Sequence, residues 1–143
     1  MVKNTFSTGW KSSTQPRKQR KYVYNAPLHT KQTMVHVHLS SELKKKYGTR
    51  RVQVKKGDKV KILRGQYKKK EGKVERVNLK QGKLFITGVE FIKKDGTKIP
   101  VAFTPSNIMI IAVDLGDKKR KQKLENNATA QSSPKTTPKN VPQ

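Results

Sequence analysis

Large apolar side chains are concentrated in one stretch of this 143-residue chain. Between Val52 and Val113, 21 of 62 positions are Leu, Ile, Val or Phe, whereas the other 81 positions hold only 11 such residues. We therefore expect a hydrophobic core in this stretch and none in the flanking segments, which have too few apolar residues to bury. A core of this size is marginally stable alone, and the sequence has no cysteine, so a binding partner would be its main reinforcement.

Every segment of the chain is basic. The 34 Lys and Arg residues outnumber the 9 Asp and Glu, which gives a formal net charge of +25, and residues 1–46, 47–115 and 116–143 carry +9, +11 and +5. Such a chain repels itself until an anionic partner supplies the opposite charge. A membrane is disfavoured, because no basic helix with an apolar opposite face is present and the longest apolar run, residues 108–113, is too short to span a bilayer. Nucleic acid is the predicted partner.

Residues 1–48 are predicted to be a basic N-terminal extension, whose first part, residues 1–27, is an extended arm. The run of residues 16–21 has no apolar side chain to bury. Three aromatic residues lie in the arm: Trp10, Tyr22 and Tyr24. The arm could be a solvated tail, but the aromatic rings favour a docking segment that lies along phosphates and stacks on bases.

A short helix is predicted over residues 40–47 of the extension. Ser40 can cap its start, Glu42 lies in its first turn, and three lysines lie in its last turn. Gly48 is placed to end the helix in the left-handed conformation.

Residues 49–115 show the two-residue hydrophobic period of β-strands. Five strands are predicted, over residues 60–62, 73–77, 84–89, 98–103 and 108–113. Short strands at this spacing, joined by turns that contain glycine, are typical of a small antiparallel barrel, so the predicted fold is mainly β. Residues 116–143 are first basic and then low in complexity, which predicts a short helix followed by a disordered tail from about residue 126.

Three glycines are predicted to have backbone roles. Gly57 turns the chain into the first strand, Gly65 leaves that strand, and Gly72 lets the chain re-enter the sheet where a side chain would clash. Between Gly65 and Gly72 the loop carries an aromatic ring and three cations: Tyr67, Lys68, Lys69 and Lys70. Basic side chains around an aromatic ring suit RNA phosphates and an unstacked base.

The stretch from Lys55 to Val74 resembles the KOW motif of ribosomal proteins and transcription elongation factors. Its flanks are similar to landmarks of the large-subunit ribosomal protein family twenty-four, twenty-six in eukaryotic naming. These landmarks are Asn25-Ala26-Pro27-Leu28-His29, Leu39-Ser40-Ser41-Glu42-Leu43, Lys46-Tyr47-Gly48 and Pro105-Ser106-Asn107. The resemblance runs from about Pro16 to Arg120, and the extension before the KOW unit is similar to the archaeal and eukaryotic form.

The resemblance implies an SH3-like barrel, contact with 23S-type ribosomal RNA and neighbouring large-subunit proteins, and a position near the peptide exit tunnel. It implies no homo-oligomer. It also implies a location in the cytoplasm, in the ribosome, and no apolar run typical of a secretory signal follows Met1. This chain departs from the family pattern in two places. Family members often have a second glycine in the basic loop, where this chain has Lys69 or Lys70, and a histidine where it has Thr104.

The predicted mechanism is electrostatic and shape-based. The arm, the pair of arginines before the strands, and the basic loop would neutralise phosphates of several RNA helices and clamp them during assembly. The predicted RNA-binding residues are Arg17, Lys18, Arg20, Lys21, Tyr22, Arg50, Arg51, Arg64, Gln66, Tyr67, Lys68, Lys69, Lys70, Lys73, Ser106 and Asn107.

The sequence does not favour an enzyme, a cofactor or a metal. The acidic residues between 47 and 115 lie mainly at turns and on strand surfaces. His36 and His38 would need a third ligand, for which only His29 or Glu42 is near in sequence. There is no phosphate-binding loop motif and no nucleophile-elbow motif.

Two other functions are less well supported than a ribosomal role. A transcription elongation accessory factor would pair its KOW unit with a separate preceding domain, and the 54 residues before Lys55 are too basic and too poor in apolar residues to form one. A nonspecific DNA-binding protein fits the charge, but a compact barrel with a looped face favours RNA.

Overall fold

The computed structural model describes residues 6, 7, 9 and 13–132. The helices are α1 (Pro16–Asn25), α2 (Leu28–Met34), α3 (Ser41–Tyr47) and α4 (Lys118–Ser132). The strands are β1 (His36–Leu39), β2 (Arg51–Gln53), β3 (Lys59–Ile62), β4 (Glu71–Asn78), β5 (Lys83–Ile92), β6 (Lys98–Phe103) and β7 (Ile108–Ala112). A 3-10 turn, Pro105–Asn107, joins β6 to β7.

The strands form one mixed sheet in the order β2-β1-β7-β3-β4-β5-β6. All five predicted strands are present, as β3 to β7, and every pairing among them is antiparallel, so the mainly β class is confirmed. The sheet as a whole is not purely antiparallel, because β1 from the N-terminal extension lies parallel to β7, with His38 opposite Met109 and Leu39 opposite Ile110.

The hydrophobic core draws on the N-terminal extension as well as on the apolar stretch. Val35, Val37 and Leu39 are fully buried, because β1 alternates apolar side chains toward the core with histidines away from it. They pack with side chains of β3, β4, β5 and β7, including Val60, Ile62, Val74, Leu84, Ile86, Val89, Ile108 and Ile110. The expectation that the flanking segments contribute nothing to the core is therefore wrong.

The predicted extended arm is wrong for residues 16–25, which form a helix. α1 begins at Pro16, whose fixed φ and missing N–H suit the first turn of a helix. Lys, Arg and Gln follow, and these are good helix formers. α1 ends before Ala26, and Pro27 then caps α2, so the chain does break where proline predicts. Trp10 lies outside the described residues.

α3 matches the helix predicted over residues 40–47. The Ser40 side chain accepts a hydrogen bond from the Leu43 N–H, at 3.4 Å, and Gly48 ends the helix with φ of 61°. Each of these signals acts within one turn of the helix, which is why the sequence shows them.

The C-terminal helix is longer than predicted. α4 continues to Ser132, so the expected disorder from about residue 126 is wrong for residues 126–132. Residues 133–143 lie outside the described residues. Arg120 and Leu124, one helical turn apart, are both buried and hold α4 against the rest of the protein.

Candidate nucleic-acid interface

α1 presents the four cations predicted for the arm, Arg17, Lys18, Arg20 and Lys21, and all four are exposed. Residues three and four positions apart are neighbours on a helix, so Arg17 lies beside Arg20 and Lys21, and Lys18 lies beside Lys21. α1 has no buried residue, so its cations are available to a partner.

The two tyrosines of α1 differ in exposure. Tyr22, the predicted stacking residue, is half-buried and lies against Phe6, with ring centroids 4.9 Å apart. Tyr24 is 83% exposed. It lines an open groove with Val23, Leu28 and Lys31, at the junction of α1 and α2. Tyr24 is therefore the more accessible ring for stacking on a base.

The basic loop between β3 and β4 is held by backbone hydrogen bonds. The Ile62 N–H donates to the Lys70 carbonyl, and the Lys69 N–H donates to the Ile62 carbonyl, both at 2.9 Å. These bonds close the loop at its base. Its polar and charged members, Arg64, Gln66, Lys68, Lys69 and Lys70, are all exposed. The loop thus displays four cations on a backbone of fixed shape.

Tyr67 supports the loop from inside. Its ring is half-buried and meets the Phe103 ring edge to face, with centroids 6.1 Å apart. Its hydroxyl donates to the Glu90 carbonyl at 3.3 Å, and the Lys70 Nζ lies 5.2 Å from the ring centroid. A ring used in this way anchors the loop to β5 and β6, and it is not the free stacking surface expected from the sequence.

The three glycines assigned backbone roles differ in what constrains them. A Cβ at Gly72 would lie 2.6 Å from Ile86 Cγ2 and 2.7 Å from the Thr87 carbonyl oxygen, so β4 and β5 can approach there only without a side chain. Gly57 and Gly65 have φ of +94° and +91°, which L side chains rarely adopt. Gly65 has open space around it, so its requirement is conformational only.

The Pro105–Asn107 turn lies at the same edge of the sheet as the basic loop. The Leu63 N–H donates to the Asn107 carbonyl at 2.8 Å, one residue before Arg64. Ser106 is exposed beside it. The structure thus brings the predicted polar pair and the predicted basic loop together.

Lys73, Arg50 and Arg51 are exposed on other parts of the sheet. Lys73 in β4 lies opposite Lys59 in β3, and Arg51 in β2 lies opposite His38 in β1. The Arg50 carbonyl accepts from the Leu39 N–H at 3.2 Å. The predicted contact residues are therefore distributed over several surfaces.

A buried ion pair between Asp58 and Arg120 was not predicted. The two guanidinium nitrogens Nη1 and Nη2 donate to the two carboxylate oxygens of Asp58 at 2.6 and 2.7 Å. The same group donates to the carbonyls of Asp114 and Gln53 at 2.9 and 3.0 Å. Asp58 is also bonded to the N–H groups of Lys55 and Asp114, at 2.8 and 2.9 Å. Since 62 residues separate the two partners, no local pattern could have revealed the pair.

Two exposed carboxyl groups have perturbed acidity. A hydrogen bond from the Lys55 side chain holds the pKa of Asp117 below its usual value, and Asp117 also accepts from the Lys119 N–H at the start of α4. Hydrogen bonds from Thr97 lower the pKa of Asp95 in the turn between β5 and β6. The lowered pKa values favour the charged carboxylates, and the hydrogen bonds that lower them also hold the local backbone in place.

The described part of the chain holds no group of three or more His, Cys, Asp or Glu side chains arranged to bind a metal ion. Within that same part, no helix has the length and apolar character needed to cross a membrane.

Comparison with known proteins identifies the family. The family model for the eukaryotic L26 and archaeal L24 ribosomal proteins matches residues 13–127. A large ribosomal subunit protein uL24 of Methanosarcina barkeri is 48% identical over 113 residues, which cover 79% of this chain and 97% of the relative. The chain belongs to this family. Proteins of the same name from Methanospirillum hungatei and Methanothrix thermoacetophila are 47% and 48% identical, over 78% and 77% of this chain and 93% and 95% of their own.

Membership in the L24 family confirms the predicted large-subunit ribosomal protein, with its role in translation and its location in the ribosome. The backbone conformation of the basic loop bears on one departure from the family pattern. Lys69, at one of the two positions considered for the second loop glycine, has φ of +72°, and it is the one described residue other than glycine with positive φ. The loop keeps the conformation that favours glycine even though a lysine occupies this position.

Proposed function

We propose that this L24-family chain is a structural, non-enzymatic constituent of the large ribosomal subunit that binds 23S-type ribosomal RNA. The observation that carries the proposal is the display of exposed cations on separate rigid elements, above all α1 and the basic loop. Segments held at fixed positions can contact phosphates of different RNA helices at once, which would make the protein a clamp during subunit assembly.

Shape adds to charge in this proposal. The backbone bonds that close the basic loop fix its backbone before RNA arrives, so little backbone entropy is lost on binding. Ser106 and Asn107 lie beside the loop and offer hydrogen-bonding groups to sugars and phosphates. Tyr24 offers a ring to an unstacked base.

The finer placement rests on the KOW resemblance of residues 55–74. It supports an SH3-like arrangement of β3 to β7 and a site near the peptide exit tunnel of the cytoplasmic ribosome. Neighbouring large-subunit proteins would be the protein partners, and no homo-oligomer is proposed.

Filter binding to fragments of large-subunit ribosomal RNA tests the electrostatic mechanism. With about 6–10 phosphate contacts, affinity should fall by ~10³–10⁵ between about 50 and 200 mM salt. A nearly flat salt dependence would contradict the mechanism.

Co-sedimentation tests the assembly role. The native protein should travel with large subunits through a sucrose gradient at high salt, where loosely bound basic proteins dissociate. A protein that remains at the top of the gradient is not a subunit constituent.

A further inference from the structure

We propose that a cationic groove between α4 and the β1–β2 strands is a second site for RNA phosphates. This inference rests on the proposed RNA-binding function but extends it to α4, which holds none of the predicted contacts; of the RNA-binding residues predicted from the sequence, Arg51 alone lines this groove. The groove is lined on one side by Lys119 and Lys123 and on the other by His36, Arg51 and Lys55.

The buried face of α4 fixes which of its lysines enter the groove. Arg120 is 8% exposed and Leu124 is 3% exposed, so this side of the helix faces the protein. Lys119 and Lys123 each precede one of these anchors and are one helical turn apart, which places both on the same flank. Lys121 is on the other flank, where it pairs with Glu125 at 3.9 Å and lies near Lys46.

The Asp58–Arg120 pair holds this flank in register with the sheet. Arg120 reaches across to the Gln53 carbonyl in β2, at 3.0 Å, two residues along the same strand from Arg51. A bidentate ion pair with further backbone bonds has one geometry, so the two walls of the groove keep a set separation. Arg120 is therefore a positioning residue for Lys119 and Lys123.

The chemistry of the groove fits a polyanion. Among its lining residues, Asp117 is the one acidic side chain, and it is already bonded to Lys55 and to the start of α4. Lysine and arginine side chains are the groups that proteins most often direct at phosphate oxygens.

The test compares two double variants of the full chain that each remove two positive charges from α4. Lys119→Ala with Lys123→Ala alters the groove, and Lys118→Ala with Lys121→Ala is the matched control on the same helix. Filter binding to large-subunit ribosomal RNA fragments should show a loss of about 10-fold or more at about 0.1 M salt for the groove variant, with the log–log salt slope reduced by up to about 1.8. In the control variant, the loss of affinity and the reduction of the salt slope should each be less than half as large.

Equal losses in the two variants would overturn the proposal, because they would show dependence on net charge alone. If the groove variant bound RNA like the wild type but lost affinity for poly-L-glutamate, the groove would be a site for acidic protein, and the RNA proposal would be wrong. Failure of the wild-type protein to bind RNA in a salt-dependent way would instead contradict the proposed function. Thermal melts followed by circular dichroism establish that both variants are folded.

Discussion

Replacing Arg120 by methionine tests whether the buried ion pair secures the C-terminal helix. Asp58 is fully buried and Arg120 nearly so, and removal of the guanidinium leaves a carboxylate without its charged partner. Breaking such a pair usually costs about 3–5 kcal/mol. Because the Lys55 and Asp114 N–H groups still donate to Asp58, we expect the low end, about 3 kcal/mol.

Urea unfolding followed by far-UV circular dichroism measures this loss. A domain of this size has a total stability of about 5–15 kcal/mol, so the variant should remain folded but weakened. With an m-value of about 2 kcal/mol/M, the midpoint should fall by about 1.5 M.

Two further variants provide a charge control on α4 and a measure of the coupling between Asp58 and Arg120. Lys121→Met removes an exposed cation from the same helix and should change the free energy of unfolding by no more than about 0.5 kcal/mol. The double variant Asp58→Asn/Arg120→Met should lose about 1–3 kcal/mol less than the sum of its single changes, because the unpaired charge is gone. If Arg120→Met matched the Lys121→Met control, or if the single changes were additive, the pair would not secure α4.

Three other changes have defined outcomes. Gly72→Val should lower the free energy of unfolding by about 1–3 kcal/mol, because its side chain would overlap Ile86, while RNA affinity per folded molecule is retained. Lys69→Gly should raise the free energy of unfolding by about 1 kcal/mol, since glycine adopts the positive φ without strain, and should lower the salt slope of RNA binding by up to about 0.9. Asp117→Asn should make the protein less sensitive to acid: the lowered pKa means that the pair with Lys55 stabilises the fold at neutral pH and is lost as the pH falls through that pKa.

A control variant or a titration tests each of these three expected outcomes. Thermal melts of Gly116→Ala, whose Cβ would lie 3.4 Å from the Asp114 Oδ1 at a position without positive φ, should show a smaller loss than Gly72→Val. Lys68→Gly, at a position without positive φ, should destabilise the protein where Lys69→Gly stabilises it. Acid titration of wild type and Asp117→Asn should diverge at neutral pH and converge at low pH, and parallel curves would exclude the ion pair as a contributor.

Local signals in the sequence were sufficient for the elements whose boundaries depend on neighbouring residues. The five strands β3 to β7 were predicted because short apolar segments, alternating in β3 and β6 and nearly continuous in β5 and β7, are bounded by turn residues. Ser40 and Gly48 marked the ends of α3, because a helix cap acts within one turn. The close approach at Gly72 could be expected from a glycine that starts a strand, and charge alone indicated a polyanionic partner.

The conformation of the arm, the pairing of β1 and the role of Tyr67 in the basic loop could be seen only in the tertiary structure. Residues 16–25 lack a core face, so the hydrophobic pattern could not tell a solvated helix from an extended arm. β1 is only four residues long, and its place beside β7 depends on a pairing between segments about 70 residues apart. Tyr67 is surrounded in sequence by basic residues, as in a site that stacks on a base. In the structure its ring packs on Phe103 and its hydroxyl bonds to Glu90, so it anchors the basic loop to the sheet.

The sequence by itself therefore determined the class of the fold, the glycines and caps that shape it, and the electrostatic character of its partner. Tertiary structure alone decided that the N-terminal extension completes the core, that α4 continues to Ser132, and that Arg120 holds α4 at Asp58. The physical reason is the range of each interaction. Hydrophobic period, capping and backbone strain act between residues a few positions apart, whereas a parallel strand pair and a buried ion pair join residues that only the folded chain brings together.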